Sequence, residues 1–131
     1  MLLIKTTVLP SPIAGLGLFA AEPIAAGQVW WEFDHRIDRT FSLEQFEELP
    51  EQAKEWLKTY AYLQGGKWVL CGDHGIFVNH SDDPNSMTLG HQSIALRDIP
   101  AGGEIVENYR EFCDDWPLIP FLARDGSYAS A

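Results

Sequence analysis

The side chains most able to do chemistry lie in the stretch Phe77-Val78-Asn79-His80-Ser81-Asp82-Asp83-Pro84-Asn85, with Cys71, Asp73, His74 and His91 nearby in sequence. Imidazole, carboxylate and thiolate all ligate metals. The spacing follows no zinc or calcium template, however, and Asp82, Asp83 and Asn85 around Pro84 are also residues that a turn uses to hydrogen-bond its own backbone. A metal site therefore has little support, and none is assigned. Gly15-Leu16-Gly17-Leu18-Phe19-Ala20 satisfies the dinucleotide pattern G-x-G-x-x-A, with Asp34 near the spacing of a ribose ligand. Pro23 and Gly27 follow too soon for the helix that such a turn must open. Those glycines are read instead as points where the backbone comes close to a ligand or to another strand. No nucleophile elbow and no paired-carboxylate pattern favours a hydrolase.

Short elements must position these residues. Leu2 to Leu9, Gly15 to Ala20 and Gln28 to Phe33 read as strands, the first two separated by the turn Pro10-Ser11-Pro12. Ser42 and Gln45 have capping-box spacing, and Leu43, Phe46 and Leu49 fall on one helical face. Pro50 introduces a second helix, Glu51 to Tyr60, with Ala53, Trp56, Leu57 and Tyr60 inward. Tyr60 to Leu63 and Lys67 to Leu70 flank Gly65-Gly66 as a hairpin. Ser93 to Arg97 and Ile105 to Tyr109 flank Pro100-Ala101-Gly102-Gly103 and read as two more short strands. The tail carries Phe112, Trp116, Phe121 and Tyr128 without a clear period. The class is β-rich α+β, in a single domain.

The chain has 131 residues, no repeat, and two cysteines, Cys71 and Cys113, without C-x-x-C spacing. No apolar run approaches a bilayer span, and prolines and glycines interrupt the apolar N-terminus, so the expectation is a cytoplasmic protein without a membrane partner. Nine Lys and Arg stand against 19 Asp and Glu, a formal charge of -10. That field repels nucleic-acid phosphates and attracts basic partners.

Three blocks in order resemble the SET domain of protein lysine methyltransferases. They are Gly15 to Ala20 with Ile24-Ala25-Ala26-Gly27, Phe77-Val78-Asn79-His80-Ser81 with Pro84-Asn85, and Ala95 to Ile99 with Gly103-Glu104-Ile105 and Asn108-Tyr109. Asp82 stands where a cysteine often follows the serine, Asn108 replaces a frequent acidic residue, and a cysteine-rich zinc segment is absent.

The resemblance implies a SET-type fold of small curved sheets with a knot-like C-terminal arrangement and a small helical insert. Residues 1–110 would carry the motifs, and 111–131 would close the active site, with Trp116 and Phe121 as candidates. It implies S-adenosyl-L-methionine as cofactor, held by Gly15, Leu16, Gly17, Asn79 and His80. Tyr109 would be catalytic, and Tyr60, Tyr62 and Tyr109 would form the substrate channel. The substrate would be a lysine-bearing basic protein or peptide, and a second copy could complete so small a domain as a homodimer. The competing reading is a SET-like module that holds a basic partner without chemistry.

Overall fold

The computed structural model describes residues 1–123; Tyr128 lies outside them. In chain order the strands are β1 (Thr6–Pro10), β2 (Leu16–Ala20), β3 (Val29–Glu32), β4 (Arg39–Ser42), β5 (Tyr62–Gln64), β6 (Lys67–Leu70), β7 (Asn79–His80), β8 (Ser86–Leu89), β9 (Gln92–Ala95) and β10 (Val106–Glu107). The helices are α1 (Leu43–Glu47), α2 (Glu51–Tyr60) and α3 (Pro120–Ala123), with single 3-10 turns at His74–Phe77, Tyr109–Glu111 and Trp116–Leu118.

Three small sheets result, as a β-rich α+β fold requires. β1 and β2 form an antiparallel pair, Thr6 opposite Ala20 and Pro10 opposite Leu16. β4, β6 and β5 form a second sheet, and β3-β9-β8-β10-β7 the third. Leu18, Ile24, Trp30, Ile99 and Ile105 are almost wholly removed from water and join β2, β3 and the chain around β10 in the main core. A smaller cluster of Phe46, Leu57, Ala61 and Trp68 fixes the helical insert to β6, with the Phe46 and Trp68 rings stacked 4.9 Å apart.

The capping box at α1 is present: Ser42 Oγ accepts the Gln45 N–H at 3.0 Å, and Gln45 Oε1 accepts the Ser42 N–H at 2.8 Å. The inward assignment of Trp56 fails, and Leu43 does not share the burial of Phe46 on its helical face. Leu43 and Trp56 are exposed, because α1 lasts little more than one turn and α2 meets the sheet along a narrow stripe containing Leu57. Tyr60 ends α2 rather than opening the hairpin. Gly65 and Gly66, at φ +60° and +76°, make the two-residue turn that sets Gln64 opposite Lys67 and Tyr62 opposite Val69. The preceding Ala61 caps α2, giving its N–H to the Leu57 carbonyl. β4 and β8 were not anticipated, since RTFS and SMTL are too polar and short to stand out.

Candidate active site

The site begins with a threading. β10 lies between β7 and β8, strands that precede it and that are joined by residues 81–85, and it runs parallel to both. Val106 faces Asn79, and Glu107 faces His80 on one side and Ser86 on the other. The late strand thus passes between two earlier ones, which is the knot-like arrangement.

On one side of this pairing Asn79 meets the glycine block. Its Nδ2 donates to the Leu16 carbonyl at 3.1 Å, the Ala14 carbonyl at 3.2 Å and Glu104 Oε2 at 3.0 Å. The Ser11 hydroxyl is 2.9 Å from both Glu104 oxygens. A Cβ at Gly17 would stand 2.5 Å from Glu104 Oε2, so a side chain there would displace that carboxylate. Gly15, Leu16, Gly17 and Asn79 are therefore brought together, and Glu104 joins them. The close approach expected of the glycines occurs, with a carboxylate as the neighbour.

His80 is held from both ring nitrogens. Nδ1 accepts the Tyr109 N–H at 3.1 Å, which puts the ring proton on Nε2, 2.8 Å from Asp82 Oδ1. Arg110 Nη1 donates to the same Asp82 oxygen at 2.8 Å, and these partners hold the Asp82 carboxyl below its ordinary range, Arg110 first and His80 second. His74 and His91 lie elsewhere, their rings against Phe77 and Phe33. Tyr109 does not end a strand. It opens a 3-10 turn whose cap is Asn108, with Asn108 Oδ1 accepting the Arg110 N–H at 3.0 Å. The Tyr109 hydroxyl donates to the Val78 carbonyl. Phe121 sets its half-exposed ring 5.7 Å from His80 and 6.2 Å from Tyr109, while Trp116 lies under the Arg110 guanidinium at 5.8 Å.

Tyr60, Tyr62 and Tyr109 line one cavity of about 310 Å³, with Trp30, Trp31 and Phe112. Burial raises the Tyr62 and Tyr109 hydroxyls above the ordinary phenol range, so both remain neutral. The same cavity wall carries Glu107, Thr88 and Ser93. Glu107 is 2% exposed. Its Oε1 accepts the Thr88 hydroxyl at 2.6 Å and its Oε2 accepts the Ser86 hydroxyl at 3.3 Å. Burial raises its carboxyl to about 7, with the hydroxyls pulling the other way. Sequence reasoning passed over Glu107; the available signal was an acid continuing the apolar run Ile105-Val106. It also passed over the side-chain role of Glu104.

The donor set suits the cofactor that the sequence resemblance implies. The carbonyls of Ala14 and Leu16 and the Glu104 carboxylate converge on one amide NH2, and the same acceptors suit an amino acid's α-ammonium. The exposed Phe121 ring beside His80 offers an apolar face for a purine.

Small sheets with a late strand threaded through them are a fold shared with several solved structures. A chain of a humanized mutant of the Chaetomium thermophilum Polycomb Repressive Complex 2, bound to the inhibitor GSK126, superposes on 92% of this chain with TM-score 0.63 and 25% identity. A chain of an active polycomb repressive complex 2 in the basal state does so over 81% with TM-score 0.63 and 26% identity. The chain spans only 16% and 15% of those longer chains. A Plasmodium falciparum protein assigned as a histone methyltransferase matches over 81% of this chain and 93% of its own, with TM-score 0.58 and 24% identity. No curated protein sequence matches. The family model described as the SET domain matches residues 15–110, and the chain belongs to that family.

Proposed function

We propose that this chain is a protein-lysine N-methyltransferase that uses S-adenosyl-L-methionine. The observation that carries the reading is that one threaded strand pair, β7 with β10, brings the Asn79–Glu104 cradle and the tyrosine-lined cavity together. Bound there, the cofactor would supply an electrophilic methyl group on a sulfonium. Gly15 to Gly17, Asn79 and Glu104 would hold its amino-acid end, and His80 backbone with the Phe121 ring would lie at its adenine end.

Tyr60, Tyr62 and Tyr109 exclude water around the aliphatic stem of a lysine and restrict its approach, so that the nitrogen arrives in line with the bond that breaks. A free lysine has a pKa of about 10.4 and enters largely charged at neutral pH, so its nitrogen must lose a proton before it can attack. The charge of -10 favours a basic protein or peptide as substrate. A cytoplasmic location is part of the same proposal.

The test is incubation of the chain with methyl-labelled S-adenosylmethionine and a panel of basic proteins, followed by mass location of the label. Label on lysine, abolished together with the cofactor's thermal shift by Asn79→Ala, is the expected result. A chain that binds basic proteins but gains no thermal shift from saturating cofactor is a binding module, and the transferase reading then fails.

A further inference from the structure

A carboxyl group in an aromatic cavity calls for an explanation that the cradle and the tyrosines do not give. Glu107 lies on the cavity wall and forms no ion pair among the described residues; its hydrogen-bond partners are the hydroxyls of Thr88 and Ser86, while Thr88 Oγ1 is itself 2.7 Å from Ser93 Oγ. A carboxylate can accept from about four directions. The two hydroxyl bonds leave acceptor capacity on both oxygens.

The titratable groups acting on Glu107 from the packed elements carry no positive charge. They are Glu111 from the turn after β10, Tyr109 at that turn's start, Tyr62 on β5, Cys71 after β6, and Cys113. Burial keeps the tyrosine hydroxyls and both thiols protonated; the Cys71 thiol is pushed up to about 12. None of them can neutralise a carboxylate, and of the two other charged residues on the cavity wall, Asp115 is itself an acid while Lys58 has its ammonium 3.9 Å from Glu55 Oε1. A second polar feature of the same wall is independent of the acid: Trp31 is 3% exposed, lines the cavity, and its indole N–H has no hydrogen-bond partner among the described residues. An apolar occupant would leave the carboxyl unsatisfied; the indole N–H, a donor, calls for an acceptor that an ammonium does not supply.

We propose that Glu107 is the anionic recognition group of the cavity, binding the primary ammonium of an inserted lysine side chain. This rests on the cavity being the lysine channel of the reaction proposed above. The aliphatic stem lies among Tyr60, Tyr62 and Tyr109, and the ammonium donates to Glu107 oxygen atoms left open by Thr88 and Ser86. Out of water a carboxylate and an ammonium interact far more strongly than at the surface. The cavity therefore selects an amine over a neutral chain of equal length, and selection requires the ionised acid. With burial holding the free carboxyl near 7, amine binding strengthens as pH rises through neutrality, while the ammonium itself remains protonated up to about pH 10.

The probes are n-butylamine, which reproduces the lysine side chain, and butan-1-ol, its neutral counterpart, each titrated into the full chain carrying a ¹³C label in the Glu side-chain carboxyl. The expected result is that butylamine binds at least about tenfold more tightly at pH 8 than at pH 5.5 and lowers the midpoint of the Glu107 carboxyl signal by about one unit or more. Glu107→Gln should weaken butylamine by about tenfold or more, remove the pH dependence, and leave butan-1-ol unchanged. The carboxyl signal is read on the unsubstituted protein, so the test stands even where the variant fails to fold. An unmoved Glu107 signal in saturating butylamine, or equal butylamine affinity in Glu107→Gln, overturns the proposal. Because the assay contains no cofactor, it separates the two readings. Amine binding intact without methyl transfer supports the ammonium site and removes the transferase, whereas methyl transfer with Glu107-independent amine binding does the reverse.

Discussion

Gly17→Ala tests whether the glycine block is fixed by the cradle. The new Cβ would stand 2.5 Å from Glu104 Oε2 and 3.0 Å from Ser11 Cβ, so the carboxylate must move. Moving it breaks its bonds from Ser11, at 2.9 Å, and from Asn79, at 3.0 Å. A hydrogen bond to a charged group contributes about 1.5–3 kcal/mol. Glu104 is only partly buried and regains water when displaced, so the combined loss is about 2–3 kcal/mol rather than the full sum. Alanine recovers roughly 0.5–1 kcal/mol over glycine within a strand. The net cost is about 1–2 kcal/mol, a fall in Tm of roughly 4–8 °C for a domain of this size. The same substitution in a Glu104→Ala background meets only the Ser11 Cβ, which a shift of a few tenths of an ångström relieves. There Gly17→Ala should be close to neutral, giving a coupling of about 1–2 kcal/mol in a thermal or urea double-mutant cycle. An equal fall in both backgrounds would refute the steric argument and return Gly17 to ordinary strand packing.

Tyr109→Phe keeps the ring and leaves the Val78 carbonyl without its donor, a loss of about 1 kcal/mol. The variant should fold and bind cofactor, while single-turnover methyl transfer falls on the order of 10²-fold; the parental rate would remove the hydroxyl from the reaction. Stability should also depend on Glu107, whose folded carboxyl lies at about 7 against an ordinary 4.5. The folded state then binds the proton more tightly, so the contribution is complete below about pH 4.5 and is lost as pH rises through about 7, on the order of 3 kcal/mol in all. Urea denaturation across that window should show the loss in the parent and not in Glu107→Gln; parallel curves would contradict it. Leu57→Ala, at the centre of the insert's cluster, should cost about 2–5 kcal/mol in denaturant unfolding. A cost below about 1 kcal/mol would show that the cluster collapses around the gap.

Local chemistry made much of this chain legible. The Ser42/Gln45 box, the Gly65-Gly66 turn and the strand at Gly15 to Ala20 each carry their instructions within a few residues, and they form where expected. Positions set by distant partners were harder to read. Trp56 has the right helical phase for burial and stays exposed, because the stripe of sheet beneath α2 accommodates Leu57. Tyr109 ended the strand expected over Ile105 to Tyr109, but Asn108 caps a new turn there. Within the site, FVNHS and the three tyrosines stood out by type and order. Glu104 and Glu107 did not, since their roles come from Gly17 and Ser11, and from Thr88 and Ser86, in segments far away in sequence.

The polar cluster between Asn79 and Asn85 has a physical task that precedes any chemistry. A strand of two residues threaded between two others has little ladder of its own, and its buried backbone groups must still find partners. Side chains of the cluster supply several. Asn85 Nδ2 donates to the Glu104 carbonyl at 2.7 Å and its Oδ1 accepts the Val106 N–H at 2.9 Å. His80 Nδ1 takes the Tyr109 N–H just beyond the strand, and the Ser81 N–H reaches the Glu107 carbonyl at 3.0 Å. Asn85 and His80 thus hold the thread at its two ends, while between them Asn79 faces the cradle and Glu107 the cavity. Of the residues that first looked like metal ligands, His80 keeps the inserted strand in register, with Asp82 holding its ring. With the strand displaced, Asn79 would lose Glu104 and the cavity would lose Glu107 and Tyr109 together, so the cradle and the cavity depend on a single insertion.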